Sequence, residues 1–141
     1  MPKIVMDANV IVSAMFGGTP RKAFLKALTT CDVYISPEIK LELSGLLDEL
    51  EGKVGRSGIR RLRSIFLNLL ATSKEVVAGK KIELSRDKKD NAYLNLCLRV
   101  RAEFLLPGDK DLLEISSKKL KASGLNRLKI VSPDVFLSES K

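Results

Sequence analysis

Histidine is absent from the chain. That one absence removes Ser-His-Asp and Cys-His catalysis, imidazole acid–base chemistry and histidine-ligated zinc from what a single chain can do. Cysteine is nearly absent. Cys31 and Cys97 are the only two, they stand far apart, and they form no CxxC pattern. They read as buried free thiols, with a disulfide left open. Any metal site must therefore be built from oxygen, which suits Mg²⁺, Mn²⁺ or Ca²⁺. Tryptophan is also missing, and two tyrosines and five phenylalanines leave few rings on which a base could stack. No apolar run approaches the ~18 residues of a membrane span. Asp7 and Asn9 interrupt the first apolar stretch, which argues against a signal peptide. The expectation is a cytoplasmic protein with no membrane partner.

What the chain does have is charge and a core. It is 45% apolar and 30% charged, a globular balance, and 141 residues suit one domain spanning 1–141. The net charge of +8 favours polyanions, nucleic acid before acidic membrane, with solubility as the plainer explanation. Two stretches concentrate the cations without any acid. One runs from Lys53 to Lys74 and holds Arg56, Arg60, Arg61 and Arg63. The other runs from Ser116 to Ser132 and holds Lys118 and Lys119. Both read as phosphate-binding tracks or as solvated faces.

Short apolar runs alternate with helical periodicity. Ile4–Met6, Asp32–Ile35, Glu75–Val77, Phe104–Leu106 and Lys129–Val131 read as strands, the first without polar alternation and so buried on both faces. Helices are expected over Pro20–Leu28 with Thr19 as cap, Glu38–Leu50 behind Ser36-Pro37, Ser57–Ala71 after a polar turn at 52–58, and Asp90–Val100. A short helix should open the segment from Asp109 to Ser117, and another the tail at Asp134–Leu137. Ala78–Lys89 reads as an irregular connection with an extended piece at Ile82–Leu84. The alternation gives an α/β fold, three-layered α/β/α, around a central, mainly parallel sheet of four to five strands.

The acids then fall into place. Parallel sheets bind ligands beyond the carboxyl ends of their strands. Asp7 follows the first strand and Asp109 the fourth. Asp90 opens the helix that precedes the fourth, and Glu42 lies in the helix after the second. Each has a bland alternative: a cap for Asp7, Asp90 and Asp109, a solvated position for Glu42. Together on one edge they would repel, and a divalent cation is the simplest remedy. Asp87 and Asp111 are near enough in sequence to join them.

At these positions the sequence resembles the PIN-domain nucleases, and within them the VapC-type toxins of toxin–antitoxin pairs. The resemblance is carried by Ile4-Val5-Met6-Asp7-Ala8-Asn9-Val10, by Ser36-Pro37-Glu38 with Glu42-Leu43, and by Arg86-Asp87-Lys88-Lys89-Asp90-Asn91. Leu105-Leu106-Pro107-Gly108-Asp109-Lys110-Asp111-Leu112 and Ile130-Val131-Ser132-Pro133 complete it. It implies a Mg²⁺- or Mn²⁺-dependent endoribonuclease cutting single-stranded RNA. Asp7, Glu42, Asp90 and Asp109 would be catalytic residues and metal ligands, with Asp111 a further candidate ligand and Asn9 supporting them from behind. It also implies an antitoxin protein as partner and allows a homodimer. Pro107 stands where the family usually has Thr or Ser. That departure is the basis of a second reading, a PIN-fold RNA-binding or scaffold protein with weakened catalysis.

Overall fold

A computed structural model describes residues 1–108 and 110–139. Its centre is β1 (Lys3–Met6), whose Ile4, Val5 and Met6 are all buried. Successive strand residues point to opposite faces, so burial of all three means that both faces of the sheet are covered. β1 pairs in parallel with β2 (Asp32–Ile35) on one side, Ile4 opposite Val33, and with β4 (Phe104–Leu106) on the other, Val5 opposite Leu105. β3 (Lys74–Glu75) and β5 (Lys129–Ile130) form the two edges. The order β3-β2-β1-β4-β5 is wholly parallel. The chain builds outward from β1 to β3, then restarts on the other side at β4. The gap between β1 and β4 is thus a topological switch point, where parallel sheets open a crevice at their carboxyl ends.

Five strands and an α/β arrangement agree with the sequence expectation; several boundaries do not. The apolar run after Asp7 is a helix, α1 (Ala8–Met15), where the sequence pattern predicts none. Val10, Ile11 and Val12 have β-branched side chains that favour strands. Here the Asp7 side chain accepts from Asn9 N–H, and Ala8, Val10, Ile11, Ala14 and Met15 bury against the core, so capping and packing override propensity. α2 (Gly18–Thr30) follows directly, and its N-cap is Gly17 at φ 97° rather than Thr19. The joint is held from the far side: Arg21 donates to Ala14 O (3.0 Å) and Met15 O (2.6 Å), the last carbonyls of α1.

Ser36 caps α3 (Pro37–Thr72) as expected, accepting from Ile39 N–H at 3.2 Å. The expected seven-residue turn contracts to one residue: α3 is helical on both sides of Gly55, which alone departs, at φ 73° and ψ 179°. The stretch 76–87 has no regular structure, and Ile82–Leu84 is not a strand. α4 (Lys88–Val100) begins earlier than expected, because Asp87 and not Asp90 caps it, accepting from Lys89 N–H at 2.9 Å. α5 (Lys110–Leu113) is followed by α6 (Ser117–Ala122), capped by Ser116 and unforeseen. α7 (Pro133–Ser138) sets Phe136 edge-on against Phe104 at 5.2 Å. Among the described residues no helix is long and apolar enough to cross a membrane. Cys31 and Cys97 are buried free thiols.

Candidate active site

Asp7 sits at the switch point because β1 ends there and α1 begins. It is only 2% exposed. Burying a carboxylate requires that its oxygens be satisfied. Oδ1 accepts from Asn9 N–H at 2.9 Å, and Oδ2 accepts from Gly108 N–H at 2.9 Å. Asp7 N–H in turn donates to Leu106 O at 2.9 Å. One residue therefore ties the carboxyl ends of β1 and β4 together. Gly108 must be glycine for this contact. A Cβ there would lie 2.9 Å from Asp7 Cγ and 2.8 Å from Asn9 Cβ, closer than such atoms approach. Pro107, just before it, is buried and has no N–H to offer, so the donation to Asp7 comes from the next residue. Asn9 is itself exposed; the support it gives Asp7 comes from its backbone.

Tyr93 is the residue that sequence reasoning missed. It is 1% exposed, and its hydroxyl is the meeting point of three segments. It accepts from Ala8 N–H at 2.8 Å, donates to Glu42 Oε1 at 2.6 Å, and lies 3.4 Å from Asp7 Oδ1. Burial first, and then the charge of Asp7, push its pKa far above the usual phenol value, so it remains a donor throughout ordinary pH. A signal for it existed: it lies three residues after Asp90, on the same face of the helix, and a buried phenol needs a polar partner. Glu42, with its side chain 14% exposed, also has Oε2 4.0 Å from Lys89 Nζ.

Asp90 lies in the first turn of α4, 2% exposed, and accepts from Ser85 Oγ at 3.1 Å. Capping by Asp87 explains why Asp90 can point inward. The loop carrying Ser85 is shaped by two asparagines of α4. Asn95 Oδ1 accepts from Lys81 N–H and Ile82 N–H, and Asn95 Nδ2 donates back to Ile82 O. Asn91 exchanges the same pair of bonds with Ser85.

The sheet edge thus brings Asp7 and Glu42 to one phenol oxygen, with Asp90 buried on the Tyr93 helix. Asp109 lies outside the described residues; its neighbour Gly108 is the one that binds Asp7. Asp111 is exposed in α5. Among the described residues no group of three acidic or thiol side chains stands close enough to hold a cation alone. The donors that are assembled are all hard oxygens, the set that Mg²⁺ or Mn²⁺ takes. The cations expected to bind RNA are on the surface. Arg56, Arg60, Arg61 and Arg63 are exposed on α3 beyond Gly55, with Arg63 3.1 Å from Glu51 and 3.8 Å from Asp48. Lys118 and Lys119 are exposed on α6.

Comparison with known proteins gives three findings. No curated protein matches the sequence. A chain from the crystal structure of VapBC2 from Rickettsia felis, bound to a DNA fragment from their promoter, shares the fold with a TM-score of 0.55. The match covers 91% of this chain and 98% of that one at 11% identity. The family model described as PIN domain matches residues 3–111, most of the chain and every candidate acid. The chain therefore belongs to the PIN-domain family, whose members are generally nucleases that use divalent metal ions.

Proposed function

We propose that the protein is a Mg²⁺- or Mn²⁺-dependent endoribonuclease for single-stranded RNA. The observation that carries this reading is the convergence of Asp7 and Glu42 on the Tyr93 hydroxyl at the switch point. Asp7, Glu42, Asp90 and Asp109 would hold the cation. When bound, it would polarise the phosphodiester and favour attack by water. The chain's own contribution is position. Gly108 and Asn9 N–H groups fix the plane of the Asp7 carboxylate, and Tyr93 occupies one oxygen of Glu42, leaving the other turned toward Lys89. Ser85 does the same for Asp90. Such pre-set geometry spares reorganisation when charge builds on the phosphate.

The VapBC2 complex of like fold supports a toxin role with a neutralising protein partner. Incubation with Mn²⁺ and labelled single-stranded RNA tests the enzyme. Wild type should cut, and Asp7→Asn should lose about three orders of magnitude in rate, the equivalent of several kcal/mol of transition-state stabilisation. Equal behaviour of the two proteins sinks the nuclease reading. RNA binding without cleavage would leave the scaffold reading.

A further inference from the structure

The site does not end at its carboxylates. A depression lined by Glu42, Leu46, Lys89 and Tyr93 shares Glu38 and Ala92 with a second one, of about 590 Å³, between α4 and the loop before it. The second shares Gly79 and Asn95 with a third, and the third shares Leu98 and Arg101 with a fourth. The shared α4 residues Ala92, Asn95 and Leu98 recur every three positions, so the depressions follow one face of the helix. They form a chain of depressions beside α4, called the trough below, which the 79–82 backbone crosses where Asn95 holds it. From residue 88 to 101 that face is about 20 Å long.

Charge along the trough changes sign. Its head is acidic, with Glu38, Glu42 and Glu49. Beyond it the walls carry Lys80, Arg86 and Lys88, then Lys81, Arg99 and Arg101, and finally Arg127. All seven are exposed, and among the described residues none takes part in a salt bridge. Among the described residues the acids lining these three depressions are Glu83 and Glu38, both in the second, and Glu38 is shared with the first. An array of uncommitted cations leading to a hydrolytic centre suits a polyanionic strand. An acidic protein would want an apolar anchor as well. The large apolar side chains exposed among the described residues lie outside the three basic depressions.

We propose that single-stranded RNA lies along this trough beside α4, its phosphates on the Lys80–Lys88 and Arg99–Arg127 walls and its cleaved bond at the Glu42 end. This rests on the nuclease reading for the position of the cut, but not for the path. With no aromatic ring on the trough's basic walls, binding goes through phosphates and tolerates any base.

The test is fluorescence anisotropy of a labelled oligouridine in EDTA, where no cleavage can interfere, across a range of salt. Lys81→Ala/Arg86→Ala/Arg99→Ala is compared with Arg60→Ala/Arg61→Ala on α3. Each lost phosphate contact lowers the salt slope by about 0.7 for a single strand, so the trough triple should lose about 2 in slope and at least tenfold in affinity. The α3 pair should stay near wild type. Lys80→Ala/Lys88→Ala serves as a second trough variant should the triple fold poorly. The proposal is overturned if the trough variants keep the wild-type slope, if the α3 pair alone changes it, or if polyglutamate binds the trough and oligouridine does not. Trough-dependent binding in a protein that never cuts with Mn²⁺ would refute the nuclease reading and leave the path standing.

Discussion

α3 and α4 are both long, both basic, and both contribute an acid to the sheet edge, yet they are different kinds of helix. α3 runs 36 residues and buries six of them; α4 runs 13 and buries seven, including Asp90 and Asn95. Beyond Gly55, α3 presents its arginines to water and spends Arg63 on its own neighbours Asp48 and Glu51. α4 instead uses every face. Tyr93 and Asp90 turn toward Asp7 and Ser85, Asn91 and Asn95 shape the preceding loop, and Arg99 borders the trough. The charged fraction does not separate the two helices; what surrounds each charge does.

If α4 is the organising helix, its polar clamps should be costly to lose. Asn95→Ala strands the buried Ile82 N–H, removes the partner of Lys81 N–H, and should cost about 3 kcal/mol in urea denaturation while loosening the Ser85 loop. In α3 the sensitive point should be backbone rather than side chain. Gly55→Ala meets no neighbouring atom within 4 Å, but φ 73° and ψ 179° belong almost wholly to glycine, so about 2 kcal/mol should go on strain. A cost near zero would mean that the two halves of α3 can straighten.

A pH dependence comes from Cys97 in α4. Burial raises the pKa of Cys97, so above about pH 8.5 the unfolded chain releases a proton that the folded chain keeps. Folding then binds a proton, and stability falls as pH rises, by about 1.4 kcal/mol for each unit above that point. Cys97→Ala should remove this part of the alkaline loss, measured as unfolding midpoints from pH 8 to 10.

Much of this was readable from residues alone. Ile4–Met6, Asp32–Ile35 and Phe104–Leu106 are apolar enough to announce a buried parallel sheet, and the order of the strands then sends Asp7, Glu42 and Asp90 toward one edge. The misses have physical causes. α1 was hidden because its β-branched residues carry the propensity of a strand and only tertiary packing makes them helical. Asp90 reads as the start of α4 because it shares the capping chemistry of Asp87, three residues earlier, which is the true cap. Tyr93 was invisible because its aromatic ring fits a core position, while its role depends on a hydroxyl whose partners lie 85 and 51 residues away.

The Tyr93 hydroxyl also has a direction. Ala8 N–H occupies a lone pair of the phenol oxygen, so the single phenolic proton must leave on another side, and the 2.6 Å contact gives it to Glu42 in preference to Asp7 at 3.4 Å. The sequence of donors is one-way: backbone amide to phenol, phenol to carboxylate. Lysine in place of Glu42 would compete as a donor and turn the phenolic proton toward Asp7, whereas glutamine could still receive it. The first amide of α1 therefore sets a rule of grammar for α3, written in the orientation of one proton.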